Sequence, residues 1–410
     1  MKAGWKRNKN LKPKVILDKI DSLKTITDGK ISFSSFEFME AVVALENMIN
    51  FPQVAHDLNT SSIISDAVWE LAKNEKIECG LFISQVNLNI KKSLAKRDNQ
   101  YYLLTSISMS DIGIRSIKLN DCIIRFYKSD FPRKFKGRKS LVDSKVNKKP
   151  TESNGYIKVV VELKAKSELI AVNESLRTLD LLRGMFNFFA NGVSEYIGTE
   201  WEPINKVRLG EFHTIHNNFG DVYSDVFWYD PSYSQAIAFK SKNTIAIVKN
   251  VKWMITNLNK INRQYKVILT EGILRYVRAF DERNQNVAVM RAWSALECVA
   301  APNETNCDAV TKRCAFLFEE YEYNKQILEY LREYRNRNVH AGEESDKAKD
   351  HGFQIQKYFK KLVLFHIANT GYFSDIAEAN RFLDLSDNES SLRNARKIIE
   401  RALKFRGYTA

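Results

Sequence analysis

The stretch NVAVMRAWSALECVAAPNE, residues Asn286 to Glu304, decides the class of the C-terminal part of the chain. Its apolar residues recur at helical spacing from Val287 to Ala301, and Pro302 then stops the pattern. The preceding segment, Leu269 to Phe280, has the same periodicity. The two segments are therefore predicted to form an antiparallel helical pair or one long broken helix.

Helical patterns continue outward from this pair to the C-terminus, whereas strand patterns nearly vanish after about Asn250. Further helices are predicted over Asp308 to Tyr321, Lys325 to Asn338, Ala348 to Asn369, Ser374 to Leu383 and Ser391 to Phe405. Successive helices of this kind are typical of a bundle. Residues 251–410 are therefore predicted to form an all-α domain.

Residues 1–250 mix both kinds of pattern. Helices are predicted over Ser34 to Asn50, Asp66 to Leu71 and Glu168 to Asn191. Strands are predicted over Leu81 to Ile90, Tyr101 to Met109, Ile114 to Asn120, Cys122 to Tyr127, Tyr156 to Lys164, Ile204 to His213 and Asp221 to Phe239. The fold class is predicted to be α+β, with a β-rich N-terminal region of one domain or two.

The chain is strongly basic, with 63 Lys plus Arg against 49 Asp plus Glu and a formal net charge of +14. Such an excess favours a polyanionic partner, and nucleic acid is the natural candidate. The alternative is a generally lysine-rich surface. Basic residues concentrate in segment 129–154, which is predicted to be a mobile, solvated loop, with a dedicated RNA-binding arm as the alternative. The residues there that could make non-specific RNA contacts are Lys134, Lys136, Arg138 and Lys139.

The five cysteines are scattered and lack the paired spacings that hold zinc. A reducing compartment suits them best. No run approaches the roughly 18 apolar residues that a membrane span requires, and the basic N-terminus lacks the apolar core of a signal peptide. We therefore expect a cytoplasmic protein with no membrane partner.

The best evidence for chemistry is YRNRNVHAG, residues Tyr334 to Gly342, in which four residues separate Arg335 from His340. Arginine is a permanent planar cation that can hold a phosphate through two hydrogen bonds. Histidine is the side chain that titrates nearest to neutral pH. The pair suits cleavage of a phosphodiester without a metal. The alternative is a helix-capping histidine with no chemical role.

Helix geometry raises a difficulty, because residues five apart on a regular helix point about 140° away from each other. We therefore predict that the helix ends between Arg335 and His340. Gly342 would adopt the left-handed conformation that follows a helix C-terminus, and the turn would bring His340 back toward Arg335. The other solution is a site shared by two copies around a two-fold axis.

Three segments in this order carry a family resemblance: Asn286 to Glu304, TKRCAFLF (Thr311 to Phe318) and YLREYRNRNVHAGE (Tyr330 to Glu343). Together they resemble the HEPN superfamily, and within it the group with an ApeA-like C-terminal domain. The resemblance covers roughly Ile268 to Arg406. It implies a helical domain whose Arg-x4-6-His motif forms a metal-independent RNA endonuclease site, usually completed by dimerisation. It also implies an association with bacterial defence, although some members have lost the motif and only bind.

Carried over to this chain, the resemblance assigns catalysis to Arg335, Asn336 and His340. Glu297 matches a commonly acidic position that would orient the basic groups, and the alternative is a structural ion pair. Arg337 would help Arg335 to hold the scissile phosphate. We expect RNA, with tRNA as one candidate, to be cleaved by its own 2′-hydroxyl, without a cofactor or metal.

Two broader functions follow from this reading. In the first, the protein is a regulated toxin or anti-phage effector, and the N-terminal region senses an invader component or recruits substrate. In the second, it binds or senses nucleic acid without catalysis and uses the HEPN-like domain to dimerise.

The other histidines rank below His340. His213 and His216 have a spacing that could bind a metal on a helix, but their strand-like sequence favours a loop or strand-end position. His351 is predicted to be at the surface and His366 at the edge of the core.

Overall fold

The computed structural model describes residues 2–55, 58–74, 76–145, 155–195, 202–230, 233–302, 304 and 308–408. The α+β class predicted from the sequence is confirmed. The chain divides into two compact units, one formed by Met1–Tyr102 and Glu162–Glu174, the other by Leu103–Val161 and Ser175–Ala410. Residue 251, at which the all-α domain is predicted to begin, lies inside a helix of the second unit.

The first unit is mainly helical. Its elements are β1 (Gly4–Trp5), α1 (Pro13–Leu23), β2 (Lys24–Thr27), β3 (Lys30–Phe33), α2 (Ser35–Met48), β4 (Ile49–Asn50), α3 (Thr60–Leu71) and α4 (Cys79–Ala95). Strand β1 pairs with β4 and β2 pairs with β3, both antiparallel. The helices predicted at Ser34 to Asn50 and Asp66 to Leu71 are confirmed as α2 and α3.

The strand predicted over Leu81 to Ile90 is wrong, because this segment belongs to helix α4. Its buried apolar residues, Phe82, Val86 and Ile90, recur every four positions and join the core of the first unit. A short apolar run fits a strand and a buried helix equally well, and here the three-dimensional packing selects the helix.

A six-stranded sheet follows. Its strands and the helices between them are β5 (Asn99–Ile107), β6 (Ser116–Leu119), β7 (Cys122–Tyr127), α5 (Gly137–Lys145), β8 (Ile157–Ala165), α6 (Glu168–Ala190), β9 (Phe212–His216) and β10 (Trp228–Tyr229). The strand order is β10-β9-β5-β8-β7-β6. The strands predicted around β5 to β8, and the helix predicted around α6, are confirmed.

The mobile loop predicted over 129–154 is wrong for its first half. A short 3₁₀ turn, Arg133–Phe135, leads into α5. Phe135, Leu141 and Val142 are buried, so apolar contacts fix this segment despite its many charges. Residues 146–154 lie outside the described residues.

The long strands predicted over Ile204 to His213 and Asp221 to Phe239 are also wrong, because within their described parts only β9 and β10 form. Long-range side-chain bonds hold the irregular backbone before β9. Asn187 Oδ1 accepts the N–H of Val207 at 2.8 Å, and Asn191 Oδ1 accepts that of Lys206 at 3.0 Å. These amides replace the hydrogen bonds that a neighbouring strand would supply.

The predicted C-terminal bundle is confirmed. Its helices are α7 (Thr244–Leu258), α8 (Arg263–Phe280), α9 (Gln285–Ala300), α10 (Asp308–Ala315), α11 (Tyr321–Ala341), α12 (Ala348–Ala368), α13 (Ile376–Leu383) and α14 (Glu389–Phe405). Helix α10 is shorter than predicted, since it ends at Ala315 rather than at Tyr321.

Helices α8 and α9 pack closely because α8 carries a glycine at their contact. A Cβ atom added to Gly272 would lie 2.4 Å from Val299 Cγ2 and 3.6 Å from the Phe359 ring. Only a residue without a side chain leaves room for Val299 at this position. The neighbouring residues Leu269, Trp293 and Leu296 are fully buried. This packing fixes the position of α9, which carries Glu297.

The C-terminal end of α9 is held by Arg313 of α10. Its Nη1 donates to the carbonyl of Ala300 at 2.6 Å, and its Nε and Nη2 donate to the two carboxylate oxygens of Asp384, each at 2.7 Å. Arg313 is 7% exposed. A bidentate pair of this kind fixes both the distance and the orientation of the groups it joins.

Candidate functional site

Helix α11 carries the whole Arg-x4-His motif. It extends to Ala341, and Gly342 follows in the left-handed conformation with φ 67°. The Gly342 N–H donates to the carbonyl of Asn338 at 3.0 Å. The left-handed glycine predicted from the sequence is confirmed, but the helix end predicted between Arg335 and His340 is wrong. The glycine ends the helix only after His340, so the motif remains on regular helix.

Arg335 is held from two sides. Its Nη2 donates to Glu297 Oε1 at 2.9 Å, and its Nη1 donates to Asn336 Oδ1 at 3.0 Å. The side chain is nevertheless 26% exposed. A guanidinium has five N–H donors, so part of its hydrogen-bonding capacity remains for a ligand. Arg335 is thus a fixed and accessible cation.

Glu297 is itself positioned by Trp293, one turn earlier on α9. The indole Nε1 donates to Glu297 Oε1 at 2.9 Å, so this oxygen accepts from both Trp293 and Arg335. The ring of Trp293 is fully buried and cannot move independently of the core. Trp293 thus fixes Glu297, and Glu297 in turn fixes the guanidinium of Arg335 relative to helix α9.

His340 lies on the exposed surface of the last turn of α11. Within the described residues its imidazole ring has no hydrogen-bond partner. Because α11 is continuous, the side chains of Arg335 and His340 leave the helix about 140° apart. A single chain therefore does not bring the two motif residues together.

Arg337 lies between them in sequence and is about half exposed. Its Nε donates to Glu343 Oε2 at 2.8 Å. This ion pair is open to solvent, so its net contribution to stability is small. Arg337 can exchange Glu343 for another anion at little cost.

The inner face of α11 is anchored by Tyr334. Its hydroxyl donates to Asn286 Oδ1, which also accepts the N–H of Ser345 at 2.9 Å. The Tyr334 ring packs edge-on against His351, with 4.8 Å between ring centroids. This anchor was not predicted, because Asn286 and Tyr334 are 48 positions apart.

His351 is buried, so its predicted surface position is wrong. Its Nε2 lies 3.0 Å from the hydroxyl of Tyr330, and burial lowers its pKa. Burial likewise raises the pKa of Tyr334. Both groups therefore stay neutral near pH 7 and serve packing under the motif.

The basic residues predicted to contact RNA fall into two groups. Lys134, Lys136 and Lys139 are exposed. Arg138 is 6% exposed, its Nη2 donates to the carbonyl of Phe212 at 3.0 Å, and its guanidinium lies 4.8 Å from the Phe131 ring centroid. Arg138 therefore anchors α5 to β9, so of the four residues only the three lysines remain exposed at the surface.

His213 and His216 both lie on strand β9, as their strand-like sequence predicted. Residues three apart on a strand point to opposite faces, so these two cannot bind one metal. His213 Nδ1 lies 2.7 Å from Thr105 Oγ1, and His216 Nδ1 lies 3.0 Å from the carbonyl of Gly220. Burial lowers the pKa of His213 to about 3 and that of His216 to about 4. Among the described residues, no three His, Cys, Asp or Glu side chains converge as a metal site would require.

Comparison of the chain with protein-family models, with curated proteins and with solved structures finds no match. The resemblance to the HEPN superfamily therefore stays a prediction based on the three quoted segments. Among the described residues, no helix is both long enough and apolar enough to cross a membrane.

Proposed function

We propose that the protein is a metal-independent RNA endonuclease of HEPN type that acts in the cytoplasm as a regulated toxin or anti-phage effector. The observation that carries this proposal is the fixed yet accessible guanidinium of Arg335, held by Glu297 and Asn336. A cation positioned before the substrate arrives can stabilise charge that develops on a phosphate without first reorganising.

In the proposed reaction, Arg335 holds the non-bridging oxygens of the scissile phosphate. Arg337 leaves the continuous helix about 160° away from Arg335, so it would hold a neighbouring phosphate rather than the scissile one that was predicted from the sequence. His340 takes the proton from the 2′-hydroxyl as that oxygen bonds to phosphorus. The bond from phosphorus to the 5′-oxygen breaks, and the 5′-oxygen takes a proton from an acid or from water. The products are a 2′,3′-cyclic phosphate and a free 5′-hydroxyl.

We further propose that two copies of the chain build the site together. Arg335 and His340 of one chain diverge by about 140° on α11. A two-fold axis near the end of α11 would place His340 of each copy opposite Arg335 of the other. The N-terminal region would then sense a trigger or recruit RNA, with the exposed Lys134, Lys136 and Lys139 as contacts.

The test is cleavage of total RNA and of tRNA in EDTA by the wild type and by three variants. We expect His340→Ala and Arg335→Ala to abolish cleavage. Val339→Ala should keep it, because Val339 is an exposed neighbour in the same helical turn. Equal cleavage by wild type and His340→Ala would refute the assignment of His340.

The alternative proposal is a protein that binds or senses nucleic acid without cleaving it and dimerises through its helical domain. The divergence of Arg335 and His340 on one continuous helix favours this alternative. If it holds, His340→Ala is silent, whereas a triple Gln variant of Lys134, Lys136 and Lys139 loses RNA affinity. The control is a triple Gln variant of the exposed Lys6, Lys9 and Lys12.

A further inference from the structure

Helix α14 (Glu389–Phe405) has 17 residues and none of them is buried. Its large apolar side chains are exposed, including Ile398 at 61%, Ile399 at 60% and Phe405 at 89%. A lone helix of this length is marginal in water, because helices in proteins draw most of their stability from packing. The helix therefore lacks a partner among the described residues.

The sequence of α14 divides the helix into two faces. At about 100° per residue, the apolar residues cover an arc of about 160°. They are Leu392, Ala395, Ile398, Ile399, Ala402, Leu403 and Phe405. The opposite arc carries the charged residues. The face is too wide for the narrow seam between two coiled helices, but it matches a planar apolar boundary.

The charged face of α14 is cationic. Its two acids are already neutralised within the helix, since Arg393 pairs with Glu389 at 2.6 Å and Arg396 pairs with Glu400 at 2.7 Å. Lys397, Arg401 and Lys404 form no ion pair within the described residues. A partner that covers the apolar arc is therefore expected to be anionic at its rim.

The apolar arc and the cationic arc of α14 together distinguish between three candidate partners, namely a second copy of the helix, RNA and a lipid surface. A second copy of α14 would bring the same excess positive charge against itself. The phosphates of RNA would pair with the cations, but the apolar arc would remain exposed to water. An anionic lipid surface satisfies both faces, because its headgroups attract Lys and Arg while the acyl boundary takes Ile, Leu and Phe.

We propose that α14 is an amphipathic anchor that lies on an anionic lipid surface, with Ile398, Ile399 and Leu403 inserted at the acyl boundary. The expectation of no membrane partner was based on the lack of a spanning segment, and a helix that lies in the surface needs none. This proposal does not depend on nuclease activity.

The test is co-sedimentation of the full chain with vesicles of phosphatidylcholine alone and of phosphatidylcholine with phosphatidylglycerol. We expect binding to the anionic vesicles, weakened by salt. The double variant Ile398→Glu/Ile399→Glu should bind at least about tenfold more weakly, and so should the variant with Gln at 397, 401 and 404. The control is Ile245→Glu, which changes an even more exposed isoleucine on α7.

Because no side chain of α14 is buried, these variants should keep the fold, and circular dichroism checks this. Three results would overturn the proposal. The wild type could fail to bind anionic vesicles, the double variant could bind as well as wild type, or both kinds of vesicle could bind equally. If vesicles do not bind and the double variant is monomeric where the wild type is dimeric, a second copy covers the face. If they do not bind and the Gln variant loses RNA affinity instead, the helix contacts RNA.

Discussion

Arg335 donates from Nη2 to Glu297 Oε1 at 2.9 Å, which joins two residues 38 positions apart. The contact links α11, which carries the motif, to α9, which is fixed by core packing around Gly272 and Trp293. The sequence alone left Glu297 as either an orienting group or a structural ion pair. In the proposed site Glu297 acts as a positioning residue, since it accepts from the Arg335 guanidinium and is itself held by Trp293.

Glu297→Gln tests this positioning role. The amide keeps the size of the side chain but removes the charge that holds Arg335, so we expect RNA cleavage to fall about 10- to 100-fold. Because 26% and 28% of the two side chains remain exposed and solvent screens the pair, stability should fall by only about 1 kcal/mol. The measurement is cleavage rate beside urea unfolding. Glu271→Gln, which frees Arg177 of α6 from an ion pair away from the motif, is the matched control and should leave the rate unchanged. An unchanged rate for Glu297→Gln would leave it a structural pair.

Mixing two inactive variants tests whether two copies share the site. Arg335→Ala and His340→Ala should each be inactive alone. Random pairing after co-refolding gives mixed dimers with one intact site, so we expect about a quarter of the wild-type activity. If the mixture stays inactive although mixed dimers form, both residues act within one chain.

Gly272→Ala tests the packing that positions α9. The added methyl group would lie 2.4 Å from Val299 Cγ2 inside a filled core, so we expect the free energy of unfolding to fall by about 1–3 kcal/mol. Gly80→Ala is the control, since its added Cβ meets nothing within 4 Å on helix α4. The midpoint of urea unfolding gives both values. A Gly272→Ala protein as stable as wild type would mean that α8 and α9 can separate freely.

Buried histidines predict a loss of stability in acid. Burial lowers the pKa of His366 to about 3, far below its value in the unfolded chain. The unfolded chain therefore binds more protons below about pH 6.5, and stability falls as the pH drops from there toward 3. Between pH 7 and pH 5 the loss should reach up to about 2 kcal/mol for each such histidine.

His366→Gln keeps an acceptor for the Tyr265 hydroxyl, which lies 2.5 Å from His366 Nδ1. It should reduce this pH dependence without removing it, because His213 and His216 remain buried. Unfolding midpoints at the two pH values provide the measurement, and His340→Gln, at an exposed position, is the control. A pH dependence identical to that of the wild type would show that His366 does not titrate on unfolding.

The sequence predicts those features that depend on interactions between residues close together in the chain. The helices of the bundle follow from their periodicity, and Gly342 as a left-handed cap follows from the absence of a side chain. Trp293 and Glu297 lie one helical turn apart, so their contact follows from their spacing in the sequence.

Long-range contacts determined the rest. Asn187 and Asn191, at the C-terminal end of α6, hold the backbone before β9 through hydrogen bonds. No pattern in the neighbouring sequence predicts these bonds. In the sequence, Arg138 is one of several cations in a charged segment. In the structure it is buried and donates to the carbonyl of Phe212. Helix α11 continues past His340 because its end is set by the left-handed Gly342 and not by the spacing of the motif residues.

The most direct test of the central claim is the end group that wild-type protein leaves on an RNA oligonucleotide in EDTA. A matched oligonucleotide with 2′-deoxyribose at the cleaved position is the control. Attack by the 2′-hydroxyl predicts a 2′,3′-cyclic phosphate and a 5′-hydroxyl on the RNA, with the deoxy substrate intact. Cleavage of the deoxy substrate, or a 5′-phosphate on the product, would contradict the mechanism assigned to Arg335 and His340.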